Sequence, residues 1–532
     1  MREYRTIFRL REEGIMKFTK ILCVIAAFCL AAVMAACGEN TSVDMDNSGN
    51  VIGNGGFVVE TGDYVYFING VETYSTEYKT GEVVKGALMR VKKSDFPKLG
   101  TADWANVNSE TVVSKLIVSD DYTAGFYIFG DYVYYAVPSA EKDNTGTLKN
   151  TKLNFFRTKL DGTSISSKLT NQDFDKAASF RFAANGDKVY LAVYSTSLYV
   201  YDAATGKQVY SYEKTIDELL FDDDNGSAVY FTAKPVNANL YDPDSADAKQ
   251  VKYQNVYKYV YGEEKETEYF SGKGKYEVGD NHTQQSGEGV SLTGATVDLL
   301  KHKDGYLYFS YTSLDSTVPF VKYVRQKDGT KDIEVLNNDK NAKTVFADGS
   351  YYYGGENLVI YYVSSTYGLM KYDYKNASAG DFGSVAYYSD EIKSSSILGV
   401  YDGYMYLYDS SNAYYRVKLD GATEATRINK LAFGSSWYKP EVIKVSGKTY
   451  IIGTYTDSAY GSYCYAIDVE AAEKAYADYK AALGDDADTY YSDALKAADV
   501  KAIVETTLIG KMTETDLKAY TDYYDQLVKN EK

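Results

Sequence analysis

The sequence predicts an all-β chain, a β-propeller of about eight four-stranded blades followed by a small α-helical appendage. Two observations predict it. A turn pair leading into a tyrosine-rich strand recurs eight times, at a spacing of roughly 50 residues. A second strand follows each, often ending in Asp-Gly, whose positive φ angles suit a tight hairpin and call for a further antiparallel strand. The count is seven if the first or the diffuse sixth unit is not a true blade.

The clearest copies are Gly62-Asp63-Tyr64-Val65-Tyr66-Phe67, Gly130-Asp131-Tyr132-Val133-Tyr134-Tyr135 and Gly186-Asp187-Lys188-Val189-Tyr190-Leu191. Looser ones start near Gly226, Asp304, Glu356, Asp402 and Ser446. Second strands are expected at 87–91, 154–160, 198–201, 256–261, 321–326, 369–374, 414–419 and 463–469. The turns Asp161-Gly162, Thr205-Gly206, Asp328-Gly329 and Asp420-Gly421 then point to further strands at 164–169, 208–212, 332–336 and 425–429. A strand upstream of each tyrosine strand, such as 125–129 or 179–183, completes four. The tyrosine strands are apolar or aromatic on both faces, as a blade sandwiched between two neighbours requires. The 57 tyrosines therefore read chiefly as packing between blades.

The N-terminus predicts the compartment. Six basic residues (Arg2, Arg5, Arg9, Arg11, Lys17, Lys20) precede the apolar run 21–33, which ends in Met34-Ala35-Ala36-Cys37. This is the layout of a secretory signal over residues 1–36, with Met16 an alternative start. The segment before Cys37 resembles a bacterial lipobox, with methionine where leucine is usual; the resemblance implies that Cys37 carries lipid and opens the mature chain. Cys23 and Cys29 lie inside the signal, and Cys464 is left without a partner, so no intramolecular disulfide is expected. Residues 37–56, small and glycine-rich, read as a tether. The propeller is assigned to 57–470 and the helical region to 471–532.

The net charge of −17 excludes a nucleic-acid partner, which needs a basic footprint. Six basic and three acidic side chains leave with the signal, so the mature balance is 51 basic to 71 acidic, or −20. Attachment to the membrane would then rest on the lipid rather than on charge.

Residues 198–210 (Leu198-Tyr199-Val200-Tyr201-Asp202-Ala203-Ala204-Thr205-Gly206-Lys207-Gln208-Val209-Tyr210) resemble the blade repeat of quinoprotein-type propellers, with tyrosine in place of tryptophan. The cofactor-stacking and metal-ligand residues of that group are not in this stretch, and no cofactor is expected. Phe156-Arg157-Thr158-Lys159-Leu160-Asp161-Gly162 and Tyr415-Arg416-Val417-Lys418-Leu419-Asp420-Gly421 resemble the tyrosine-rich propeller lipoproteins of unknown function of Gram-positive bacteria.

Helical composition begins after Asp468, at 471–483, 489–509 and 514–529, with Thr513 and Asp516 forming a capping-box-like start. The chain leaves the sheet before an outer strand of the last blade is made. Residues 57–60 are expected to supply that strand and close the ring.

Catalytic motifs are thin. His282 and His302 are the two histidines, and His302, between Lys301 and Lys303, reads as a solvated turn residue. No Gly-x-Ser-x-Gly, His-Glu-x-x-His or Cys-x-x-Cys motif occurs. Asp222 and Asp224, with Asp242, Asp244 and Asp247, read as solvated acidic turns, with weak calcium ligation as the rival. Trp104, Trp437 and Tyr438 lie outside the regular strands and are the candidate partner-binding aromatics. The expected function is a non-catalytic, lipid-anchored binding or scaffolding module at the cell envelope, for a protein or glycan. The alternative is a glycan-cleaving enzyme using carboxylates in the propeller channel.

Overall fold

The computed structural model describes residues 50–69, 86–113, 125–138, 141–142, 148–149, 152–163, 167–172, 174–222, 226–239, 250–272, 277–278, 292–293, 295–313, 321–337, 351–354, 359–364, 368–373, 384–387, 395–409, 414–419, 425–429, 440–457, 461–483 and 509–510. Among these, six sheets are four-stranded antiparallel meanders, one has six strands and one has three. In chain order the first sheet covers 58–113, the second 126–175, the third 179–212 and the fourth 216–270. The fifth covers 295–337, the sixth 351–387, the seventh 396–429 and the eighth 441–468. The first strands of neighbouring sheets approach one another, Ile216–Phe221 beside Ala295–Lys303 and Ser396–Tyr401 beside Glu441–Val445. The sheets thus radiate from a shared inner edge, which makes the chain a β-propeller with regular four-stranded blades.

Turn chemistry sets the register. Thr61 pairs with Tyr64, Phe129 with Tyr132 and Asn185 with Lys188, so each loop is two residues long. In these loops glycine comes first, at φ of 54° to 64°, as in a type II′ turn. Asp304-Gly305, Asp402-Gly403 and Ser446-Gly447 have positive φ at both residues, as in type I′. Both types match the right-handed twist of the strands they join, and each places the tyrosine strand one residue after the turn. The predicted fourth strand at 208–212 forms as Gln208–Tyr212, and that at 332–336 as Ile333–Asn337.

Tyrosine does fill the space between sheets. Tyr66, Tyr135, Tyr230, Tyr308 and Tyr406 are fully buried, as is Trp104. Tyr414 Oη and Tyr465 Oη lie 2.8 Å apart, joining the seventh sheet to the eighth. A second device recurs inside the sheets. Arg90, Arg325 and Arg416 each stack 4.4 Å from a tyrosine ring centroid (Tyr64, Tyr306, Tyr404), and Arg157 lies 5.0 Å from that of Tyr132. In all four sheets the arginine stands directly opposite the next tyrosine of that strand, Tyr66, Tyr308, Tyr406 or Tyr134. The guanidinium covers one ring and neighbours another hydroxyl, a fit its flat shape allows.

Closure of the ring differs from expectation. Val58–Thr61 is the first strand of the first sheet, not the outer strand of the last. The hairpin at Gly62-Asp63 decides this, because local pairing closes a short loop whereas the last sheet lies hundreds of residues away. The preceding strand, Ile52–Gly56, adds to the inner edge of the second sheet, with Ile52 opposite Ile128 and Gly56 opposite Phe126. Glycine is required there: a Cβ on Gly125 would stand 1.9 Å from the carbonyl oxygen of Gly55. The first and eighth sheets instead meet face to face. Phe57 and Val58 share a core with Ile443, Val445 and Ile452, and the Phe57 N–H donates to Glu441 Oε1 at 3.0 Å. Buried Asn69 strengthens this junction, accepting from the Cys464 N–H and donating to the Gly510 carbonyl.

The eighth sheet has three strands, and the helix Val469–Leu483 follows it directly. Asp468 starts the helix, its Oδ1 accepting from the Ala471 N–H at 3.0 Å. Arg416 of the seventh sheet then holds Glu473 from the helix at 2.5 Å. In the first and fifth sheets the matching acid, Glu110 or Glu334, stands on the fourth strand. The seventh has Thr426 opposite Arg416, and the helix supplies the missing carboxylate. The helices expected at 489–509 and 514–529 fall almost wholly outside the described residues; Ile509, at the end of the first, is buried in the core of the first and eighth sheets. Among the described residues no helix is long and apolar enough to cross a membrane.

Candidate functional site at the seam between two sheets

The fourth and fifth sheets are joined by a set of charged and polar groups. Its axis is the pair of first strands, Ile216–Phe221 and Ala295–Lys303. At one end lie three carboxylates. Glu218 Oε2 accepts from the Leu299 N–H at 2.6 Å across the seam. Asp217 Oδ2 accepts from Gln254 Nε2 at 2.8 Å, and Asp298 Oδ2 from the Ser310 hydroxyl at 3.1 Å. Gln254 is buried and fully engaged, donating also to the Ala233 carbonyl while its Oε1 accepts from the Val297 N–H. It therefore fixes Asp217 and ties the two sheets together. Burial, then the nearby Asp298 and Asp217 charges, hold Glu218 above the usual carboxylate range against the opposing effect of the Leu299 N–H. Asp217 and Asp298 are exposed, whereas Glu218 is half-buried.

At the other end lies an ion cluster centred on the buried pair His302 and Asp222. His302 Nδ1 is 2.7 Å from Asp222 Oδ1, and Nε2 is 3.3 Å from Asp328 Oδ2, an ion-pair distance without hydrogen-bond alignment. The Tyr230 ring stacks on the imidazole with centroids 4.9 Å apart. Asp328 gathers partners from the fourth sheet: Tyr269 Oη donates at 2.8 Å, Tyr230 Oη at 3.3 Å and Lys258 Nζ at 3.1 Å. Burial alone would lower the pKa of His302, but the two carboxylates outweigh it and hold it at about 9. Asp328 sits far below the carboxylate range: burial opposes this, and His302, Lys258 and Tyr269 override it. Burial, then the Asp328 charge, pushes the Tyr230 and Tyr269 phenols well up, so both stay neutral donors.

Several sequence-based expectations change here. His302 is not a solvated turn residue but is 2% exposed inside a strand. Asp222 is not a solvated acidic turn or a free calcium ligand: it is 1% exposed, and the imidazole brings it the positive charge that a cation would have supplied. Trp104 does not face a partner; it is 2% exposed and packs edge-on against Phe96 at 6.1 Å. Asp224, Asp242, Asp244, Asp247, Trp437, Tyr438, His282 and Cys37 lie outside the described residues. Gln254, Glu218, Lys258 and Asp328 escaped notice as site residues. The available signals were slight: Asp328 appears only as a turn residue, and Lys258 stands where other units carry arginine.

Fold and seam together define the chain as a β-propeller with a charged, hydrogen-bonded junction between two of its sheets. No family model matches the sequence, and no curated protein matches it. Among solved structures it is similar to the computationally designed Ika8 protein, at 9% identity and a TM-score of 0.34 over 75% of this chain and 99% of that one. It is also similar to the β-propeller domain of the Trilobed protease from Pyrococcus furiosus, at 13% identity and a TM-score of 0.31 over 64% and 92%. A third is the polysaccharide lyase Uly1, at 14% identity and a TM-score of 0.29 over 78% and 89%. The overlaps are low, and the propeller class rests on the chain's own sheets.

Proposed function

We propose that the chain is an extracytoplasmic propeller of eight blades, lipid-anchored through Cys37, acting as a non-catalytic binding or scaffolding module for a protein or glycan partner. The six regular sheets support six blades, and the proposal takes the six-stranded and three-stranded sheets as two more. One observation carries the reading: the aromatic and charged groups of the repeated strands are engaged with one another within and between sheets. That is the construction of a rigid support, with the connections between strands left to vary and to recognise. The lipid anchor and envelope location rest on the signal-like segment and on Cys37. A pull-down from native envelope, run beside a glycan array, tests the proposal. Specific capture of one protein or glycan supports it; failure of both together with turnover of a polysaccharide overturns it.

The glycan-cleaving alternative has its own supporting observation, the raised Glu218 carboxyl beside Asp217 and Asp298 at one end of the seam. Paired carboxyl groups, one of them raised by its surroundings, are what general-acid glycoside cleavage uses. If a polysaccharide is turned over, Glu218→Gln should abolish turnover and leave the melting temperature nearly unchanged. Undiminished turnover in that variant would remove Glu218 from the reaction.

A further inference from the structure

We propose that protonated His302, held between Asp222 and Asp328, is a proton-dependent clasp that locks the fourth sheet to the fifth. The geometry carries it. Asp222 leaves the first strand of the fourth sheet, whereas His302 and Asp328 belong to the fifth. Every strand of the fourth sheet contributes: Asp222 follows the first, Tyr230 is on the second, Lys258 on the third and Tyr269 on the fourth. Tyr261 is buried and close enough to feel the charges of both Arg181 and Asp222. On its own strand His302 is flanked by Lys301 and Lys303, half-buried residues that alternate to the opposite face.

Charge balance gives the clasp its sensitivity. With His302 protonated, its charge lies between the Asp222 and Asp328 carboxylates, with Lys258 on Asp328 and Arg181 acting on the neighbouring Tyr261. Loss of the imidazole proton removes the positive charge that faces the buried Asp222 carboxylate, a loss that low-dielectric surroundings penalise. It also removes the cation stacked on the Tyr230 ring.

The direction of the pH effect follows from linkage. The folded pKa of His302, about 9, exceeds its ordinary value of 6.5. Its stabilisation is therefore complete below pH 6.5 and is lost as the pH rises through about 9. A raised shift of this size corresponds to a change on the order of a hundredfold in the folding equilibrium. The seam phenols, pushed up as they are, stay neutral across that window.

Two measurements on the full chain test the clasp. The first is an NMR titration of the imidazole carbons, with His282→Asn used to assign the two histidines. One signal is expected to titrate near pH 9, and Asp328→Asn should bring that midpoint down; titration of His302 at or below 6.5 overturns the proposal. The second is the melting temperature from pH 6 to 9.5. It should fall in the native chain and stay flat in His302→Gln, and an equal fall in both overturns the proposal. Should His302→Gln fail to fold, the titration of the native histidine decides alone.

Discussion

The fourth and fifth sheets place a cation at the same register position and use it differently. In the fifth, Arg325 stands opposite Tyr308, covers the Tyr306 ring and pairs with Glu334 on the adjacent strand at 2.6 Å. In the fourth, Lys258 stands opposite Tyr230, and its partner Asp328 comes from the neighbouring sheet. The planar guanidinium covers one ring and meets a carboxylate of its own sheet, a pairing that Arg90 and Glu110 repeat in the first sheet. The compact ammonium takes a carboxylate from outside, and the same carboxylate meets His302. A unit that satisfies its own charges stabilises its sheet; one that borrows a charge joins two sheets.

Substitutions can break this contrast, the largest effect first. Asp222→Ala leaves the imidazolium short of a partner in a buried site and should cost about 3–5 kcal/mol in urea unfolding. A cost similar to that of a surface change would mean the cluster is solvated. Arg416→Ala tests an arginine unit that takes its carboxylate from the helix. Its guanidinium holds Glu473 through two bonds, so the loss should be about 1–3 kcal/mol, with faster proteolytic cutting near Leu483. An unchanged cutting rate would show that apolar packing alone docks the helix.

Arg325→Lys converts the fifth sheet toward the cation of the fourth. It keeps the charge but loses the flat stack over Tyr306, for about 0.5–1.5 kcal/mol by thermal melting. No loss would mean that charge, not shape, matters at this position. Lys444→Ala removes an ion pair with Asp402 between two exposed side chains, and the melting temperature should not move measurably.

Much of the fold was legible because its determinants are local. Gly62-Asp63, Gly130-Asp131 and Gly186-Asp187 specify two-residue hairpins through the φ of a single glycine, and the tyrosine strands follow in phase. The Arg157 and Arg416 segments stood out as motifs, and their stacking on Tyr132 and Tyr404 gives them a physical meaning. The candidate site was far less legible. Lys301-His302-Lys303 looks like solvent-exposed sequence until it lies in a strand; alternation then turns the histidine to the face opposite both lysines. Trp104 misleads in the same way, since a tryptophan outside the strands can still be drawn under the first sheet by Phe96 and its neighbours.

By itself the sequence determined that the chain makes antiparallel strands in repeated meanders, since turn dihedrals and two-residue periodicity act over a few residues. Only the tertiary structure decided how the ring closes and which charges meet inside it. Those outcomes depend on pairs far apart in the chain, such as Phe57 with Glu441 and Asp222 with His302. Burial fixes such partners: a charge removed from water must find its complement wherever packing has brought one, whatever its distance along the chain.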